Sequence, residues 1–202
     1  MNPRHAVASI LALVIAGTTV AVPATARGAS AAPETEAHVD VGEEYFYPSS
    51  VTVRRGGTVV WDWTGEATHD AVDETGMALF DSGPTPPGGP SFSFTFVAAG
   101  SYPYVCTYHD GMAGRVEVPI RAVAAEGGAT VVWASDTVPD GFAFDVQVRR
   151  IGHRWRSWLE GTTGLRERYL AGSGAFRFRA RLRLEATGAS SDWSGAASIT
   201  IA

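Results

Sequence analysis

The chain contains no lysine, one cysteine and little charge: 16 arginines and 21 acidic side chains leave it 18% charged, with a formal net charge of −5 over 202 residues. A single cysteine cannot close a disulfide within the chain, which excludes a disulfide scaffold, and 45% hydrophobic content excludes a disordered one. No stretch repeats apolar residues at a long helical period, so helical bundles are excluded as well. Basic residues are scarcest where acids are densest. From Pro33 to Ile120 there are 13 acidic and 3 basic side chains, a net of −10, whereas from Arg121 to Ala202 there are 8 acidic and 11 basic, a net of +3. Two domains of opposite sign follow, and the acidic one is no partner for nucleic acid, whose phosphates need clustered cations.

What is present begins with an export signal over residues 1–31. Arg4 and His5 precede an apolar run from Ala6 to about Val22, then small residues with cleavage motifs at Ala24-Thr25-Ala26 and Ala29-Ser30-Ala31. The run contains Thr18 and Thr19 and stops at Pro23, which favours a removable signal over a membrane anchor. The expected product is a secreted, extracytoplasmic protein that is not an integral membrane protein.

Beyond residue 33 the periodicity is that of strands: Val51-Thr52-Val53, Val59 to Trp63, Phe92 to Phe96 and Val116-Glu117-Val118, separated by Gly, Pro, Asp and Ser. The tract Asp81 to Pro90, with four prolines and three glycines, is a surface loop. A linker is expected from Arg121 to Gly128. Strand patterning then returns at Phe142 to Arg150 and at Phe176 to Leu184, where Arg177, Arg179, Arg181 and Arg183 occupy one whole face. The expected class is all-β, two sandwiches in series, with domains at 34–121 and 128–202.

The lone cysteine stands in Cys106-Thr107-Tyr108-His109-Asp110-Gly111-Met112. A thiolate, an imidazole and a thioether on one short loop are a soft ligand set. Zinc has little use for the thioether, whereas reduced copper accepts all three donors. With a second imidazole, for which His69 is the candidate, the set becomes that of a blue-copper electron-transfer centre. Taken alone, the loop is equally compatible with a small buried cysteine and a surface histidine. An unpaired thiol in an oxidising compartment, however, is explained by a metal that protects it.

Here the sequence resembles the plastocyanin, halocyanin and amicyanin group of cupredoxins. The resemblance rests on Phe46-Tyr47-Pro48, Gly56 to Trp61, Thr68-His69-Asp70, Phe80 to Gly83, Ala99 to Cys106 and Met112-Ala113-Gly114. It implies an eight-stranded Greek-key cupredoxin β-sandwich and one type I copper site held by His69, Cys106, His109 and Met112, cycling between Cu(I) and Cu(II). It also implies a one-electron carrier with its port at His109, ringed by an apolar patch drawn from Met77, Phe80, Pro84, Pro86, Pro87, Pro103 and Ala113. Asp70 departs from the asparagine common at that position and adds a carboxylate beside the thiolate. Glu66, Asp70, Asp73, Glu74, Asp81 and Asp110 are expected near the copper end, where they would attract a redox partner with a basic surface. Only His38 and His153 remain for further copper sites, so an enzyme is not expected.

The second domain resembles fibronectin type III modules through Val131-Val132-Trp133 and Ser191-Asp192-Trp193-Ser194, with its first strand short or missing. Its arginine stripe reads as an anion-binding face, as guanidiniums stacked on Trp155, Trp158 or Trp193, or as a face turned to the acidic first domain, with stacking favoured over anion binding. A cell-wall or protein partner is the expectation for this module. Copper sequestration without an electron partner, and an adhesive module with an unused site, are the competing functions.

Overall fold

The computed structural model describes residues 33–202, and every regular element among them is a strand. The expected export signal and its cleavage motifs lie outside the described residues. Among those residues no helix is long and apolar enough to cross a membrane.

Seven strands make the first sandwich: β1 (Glu34–Val41), β2 (Phe46–Tyr47), β3 (Ser50–Trp63), β4 (Val72–Asp73), β5 (Phe92–Phe96), β6 (Gly100–Val105) and β7 (Ala113–Val118). The long β3 serves both layers. Its start, Ser50–Thr52, lies parallel to β7, and its end pairs parallel with β1 and antiparallel with β5. The register slips between those halves, where Gly56 takes φ +77°, a conformation that favours glycine. Alternation of Val51, Val53, Val59, Trp61 and Trp63 buries one face of β3 throughout. An eighth strand does not form among the described residues. The proline-rich tract lacks the N–H groups a ladder needs and contributes only single bridges, His69 to Thr85 and Val72 to Asp81.

The second sandwich packs β8 (Arg121–Ala125), β9 (Gly128–Val132) and β12 (Arg166–Leu170) against β10 (Phe142–Arg150), β11 (Arg156–Thr162), β13 (Gly174–Leu184) and β14 (Ala197–Ile201). Edge-to-face contacts of Trp158 with Trp133, Tyr169 and Phe178 fill the space between the layers. The expected linker is a correction: Arg121–Ala125 is a strand, paired residue for residue with β9 through a tight turn at Glu126-Gly127. The first strand of the module is therefore present.

Nor is the arginine stripe free. Arg179 stacks on both Trp155 and Trp193 at 4.4 and 4.7 Å, Arg149 shares Trp155, and Arg181 shares Trp193. Arg181 and Arg183 also pair with the nearly buried Asp145. Such stacks stabilise by about 0.5–1 kcal/mol each and rigidify the outer face of the sheet.

The two sandwiches meet through backbone. Ala99 N–H donates to Trp133 O at 2.7 Å, Ser135 N–H to Val97 O at 2.9 Å, and Ser101 and Asp192 exchange bonds of 3.0 and 2.9 Å. Arg115 donates to both Asp192 and Ser101 at 2.7 Å. Gly100 is required here, because a Cβ would stand 2.5 Å from the Ser191 hydroxyl. Phe96, Ala98 and Tyr102 share one continuous buried core with Trp133, Ala134 and Leu182.

Candidate metal centre

β6 ends at Val105 and delivers Cys106 to the end of the first sandwich. The following loop closes on itself: Cys106 N–H donates to Met112 O at 3.0 Å and Met112 N–H to His109 O at 3.2 Å. Gly111, at φ +79°, makes the turn back into β7. Cys106 and Met112 are 4% and 2% exposed, whereas His109 is only half-buried.

His69 arrives from the other side, on the segment between β3 and β4. Its backbone exchanges two hydrogen bonds with Thr85, at 3.1 and 2.8 Å, so the proline tract is a brace for this residue. Gly65 passes close to its ring; a Cβ there would lie 3.1 Å from Nε2. In the core of the same sandwich Trp61, Phe80, Phe46 and Tyr104 pack on one another.

Three donors converge. Cys106 Sγ lies 3.7 Å from His69 Nδ1 and 3.5 Å from His109 Nδ1, and the two imidazole rings are 4.5 Å apart between centroids. All three donor atoms lie within 4.8 Å of one another, the one such group of three among the described residues. Taking zinc–ligand lengths of about 2.0–2.1 Å to nitrogen and about 2.3 Å to sulfur as a guide, a single ion with tetrahedral to trigonal angles would hold N and S about 3.6–3.8 Å apart. The observed separations fit one metal ion. Burial, followed by the neighbouring His109, lowers the pKa of His69, which keeps its ring neutral and its lone pair available. Met112 is buried on the same closed loop and brings the soft thioether that distinguishes a copper set from a zinc one.

Asp70 is 4% exposed, and its carboxylate is engaged with the residue after the cysteine. Oδ1 accepts the Thr107 backbone N–H at 2.6 Å, and Oδ2 accepts the Thr107 hydroxyl. Sequence reasoning placed this charge beside the thiolate but not its hydrogen bonds. The brace at Thr85 was missed altogether, because it is made of backbone groups and carries no residue signature.

The expected surface features are corrected in part. Met77 and Phe80 are buried and belong to the core, where Phe80 stacks on Trp61 at 5.3 Å. Pro84, Pro86, Pro87 and Ala113 are exposed, and Pro103 is half-buried. Asp70 is buried, and Asp73 accepts from Thr75 and Leu79 to shape a turn. Glu66, Glu74, Asp81 and Asp110 remain exposed acids. His38 bonds to Asp62 at 2.7 Å, and His153 lies on an exposed turn, so neither joins the cluster.

A family model for copper binding proteins, the plastocyanin/azurin family, matches residues 33–119. Amicyanin-alpha of Methylorubrum extorquens is 30% identical over 117 residues, which cover 56% of this chain and 98% of that protein. Plastocyanin of Scenedesmus fuscus is 33% identical over 96 residues, 39% of this chain and 91% of its own. Halocyanin of Natronomonas pharaonis is 39% identical over 77 residues, 36% of this chain and 47% of its own.

Proposed function

Because this chain belongs to the plastocyanin/azurin family of copper binding proteins, we propose that it is an exported blue copper protein acting as a one-electron carrier, not a catalyst. Its cofactor is copper. The observation that carries this reading is the convergence of His69 Nδ1, Cys106 Sγ and His109 Nδ1. These three residues would hold the copper, and Met112 would add a weak thioether donor.

Bound there, copper supplies a reversible one-electron couple. The chain's part is to keep its donors still. Thr85 fixes the backbone of His69, Asp70 fixes Thr107, and the Cys106–Met112 loop is tied at both ends, so little reorganises as charge changes. His69 is sealed from water while His109 is half-exposed, which makes the His109 edge the way in and out for the electron.

The N-terminal pattern of residues 1–31 supports export and a secreted location. The net charge of −10 over residues 33–120, with Glu66, Glu74, Asp81 and Asp110 exposed, supports a redox partner with a basic docking surface. Residues 121–202, with sheets β12-β9-β8 and β11-β10-β13-β14, are read as a fibronectin type III-like accessory module that positions the carrier.

The test is the visible spectrum of the Cu(II)-loaded protein. An intense thiolate-to-metal charge-transfer band is expected, absent in Cys106→Ser; colour retained in that variant would remove the site assignment. Reversible voltammetry then distinguishes a carrier from a sequestering protein.

A further inference from the structure

β10 starts at Phe142, which with Val138 and Leu182 faces Phe94 and Tyr102 of the first sandwich across an apolar cavity of about 290 Å³. The strand ends eight residues later at Arg150. At roughly 3.3 Å per residue this places Arg150 about 26 Å from that contact, at the free end of the second sandwich.

Charge is one-sided there. Between Asp145 and Glu160 the sequence has four arginines and no acid, and between Glu167 and Glu185 five arginines and no acid. Two of these meet Asp145 and others stack on tryptophan, but Arg150, Arg154 and Arg156 have no carboxylate within ion-pair distance among the described residues. With His153 and the turn Gly172-Ser173 they wall a pocket of about 350 Å³, floored by Phe176. Arg150 donates to Ser173 O at 3.3 Å and Arg156 to Tyr169 Oη at 2.7 Å, which holds both guanidiniums in place. Glu126, on the β8–β9 turn, is exposed.

Two exposed aliphatic side chains adjoin these cations. Ile151, on the β10–β11 turn, is 49% exposed, and Leu170, at the end of β12, is 70% exposed, the highest value among the large hydrophobics. Ile151 is next to Arg150, and Leu170 closes the strand that leads into Gly172-Ser173. A stacked-arginine face elsewhere would explain cations alone. Solvent-facing aliphatic side chains beside unpaired cations fit a surface that is anionic outside and apolar beneath.

We propose that this tip docks on anionic membranes: the Arg150, Arg154 and Arg156 pocket takes a phospholipid phosphate, and Ile151 and Leu170 enter the headgroup–acyl boundary. The assignment is independent of the copper reading, since none of these residues belongs to the first sandwich. It gives the accessory module a role, holding the carrier at a membrane surface.

The experiment is co-sedimentation of the full-length chain with vesicles of phosphatidylcholine alone or mixed with phosphatidylglycerol. Binding is expected to rise with phosphatidylglycerol and fall with salt. Each guanidinium near the surface should contribute about fivefold, so Arg150→Gln with Arg154→Gln should weaken binding on the order of 25-fold. Leu170→Ser with Ile151→Ser should weaken it about tenfold. All variants are exposed-site changes, and an unchanged circular dichroism melt confirms the fold. The N-terminal segment is common to every variant, so only differences between them are read. Equal binding of wild type and the arginine variants overturns the proposal. Binding to dextran sulfate with no effect of the Ile151 and Leu170 changes on vesicles overturns it in favour of a soluble polyanion. Uptake of inorganic phosphate by calorimetry without vesicle binding overturns it in favour of a free-phosphate site.

Discussion

Asp70, next to His69, grips Thr107, next to Cys106, with both carboxylate oxygens. The pair ties the His69 segment to the Cys106 loop across 37 residues of sequence. It joins two structural segments and places a negative charge next to the thiolate.

Asp70→Asn separates those two roles. An amide oxygen still accepts from Thr107 but carries no charge, so the fold is retained and the reduction potential rises, because the oxidised, more positive centre loses a stabilising charge. Asp70→Ala removes the grip as well and should lower stability by about 2–4 kcal/mol, two hydrogen bonds to a charged acceptor. Voltammetry and denaturant melts of the two variants check this; an unchanged potential in the asparagine variant contradicts the charge effect.

Met112→Leu keeps the loop's apolar packing while deleting the thioether. Copper should remain bound through His69, Cys106 and His109, with a raised potential, since a weak donor to Cu(II) is lost. Loss of copper on this change would mean that Met112 is a primary ligand.

The two sandwiches should unfold as one. Their shared core and the Ser101–Asp192 backbone pair predict a single calorimetric transition for the whole chain. A chain ending at Ile120 should melt at lower temperature, having uncovered Phe96, Ala98 and Tyr102. The Arg115–Asp192 ion pair contributes little, because its side chains are 41% and 64% exposed; a double-mutant cycle should return at most about 1 kcal/mol. Two well-separated transitions would show the sandwiches to be independent.

His38 provides a pH readout outside the copper site. Its hydrogen bond to Asp62, assisted by that residue's charge and by Glu36, raises its pKa above the ordinary histidine value, and Asp62 is correspondingly depressed by His38 and Ser91. The histidine's contribution to stability is therefore complete below about pH 6.5 and is lost as pH rises through the raised value. The effect on stability is small at an exposed site, so the measurement is the ring titration by NMR. Asp62→Asn should return its midpoint towards 6.5.

How far the sequence shows all this depends on where each signal resides. Cys106, His109 and Met112 are legible because they share one seven-residue loop, and His69 only because Thr68-His69-Asp70 resembles a family motif. Thr85 is not legible: its hold on His69 uses backbone groups inside a proline tract whose side chains suggest a plain loop. Met77 and Phe80 stand just before that tract and so suggest surface, yet stacking on Trp61 buries Phe80. β8 escapes because Arg-Ala-Val-Ala-Ala is an edge strand of small, mostly exposed residues with no clear alternation. The arginine stripe is readable as stacking because Trp155 and Trp193 offer faces to it, but Trp158, an equal candidate in the sequence, packs instead on Trp133, Tyr169 and Phe178 between the layers.

Only Pro119 and Ile120 lie between β7 and β8, and Ile120 is itself buried. The junction has no swivel. A carrier on a flexible tether can swing its redox centre between donor and acceptor, at a rate set by the tether's length and stiffness. This protein cannot use that stroke, because the same covalent path that connects the sandwiches also enters both their cores. Whatever the second sandwich grips, it therefore aims the His109 edge in one fixed direction. With His109 as the proposed electron port, donor and acceptor must each travel to that edge, and turnover is then governed by how often they collide with it in the right attitude.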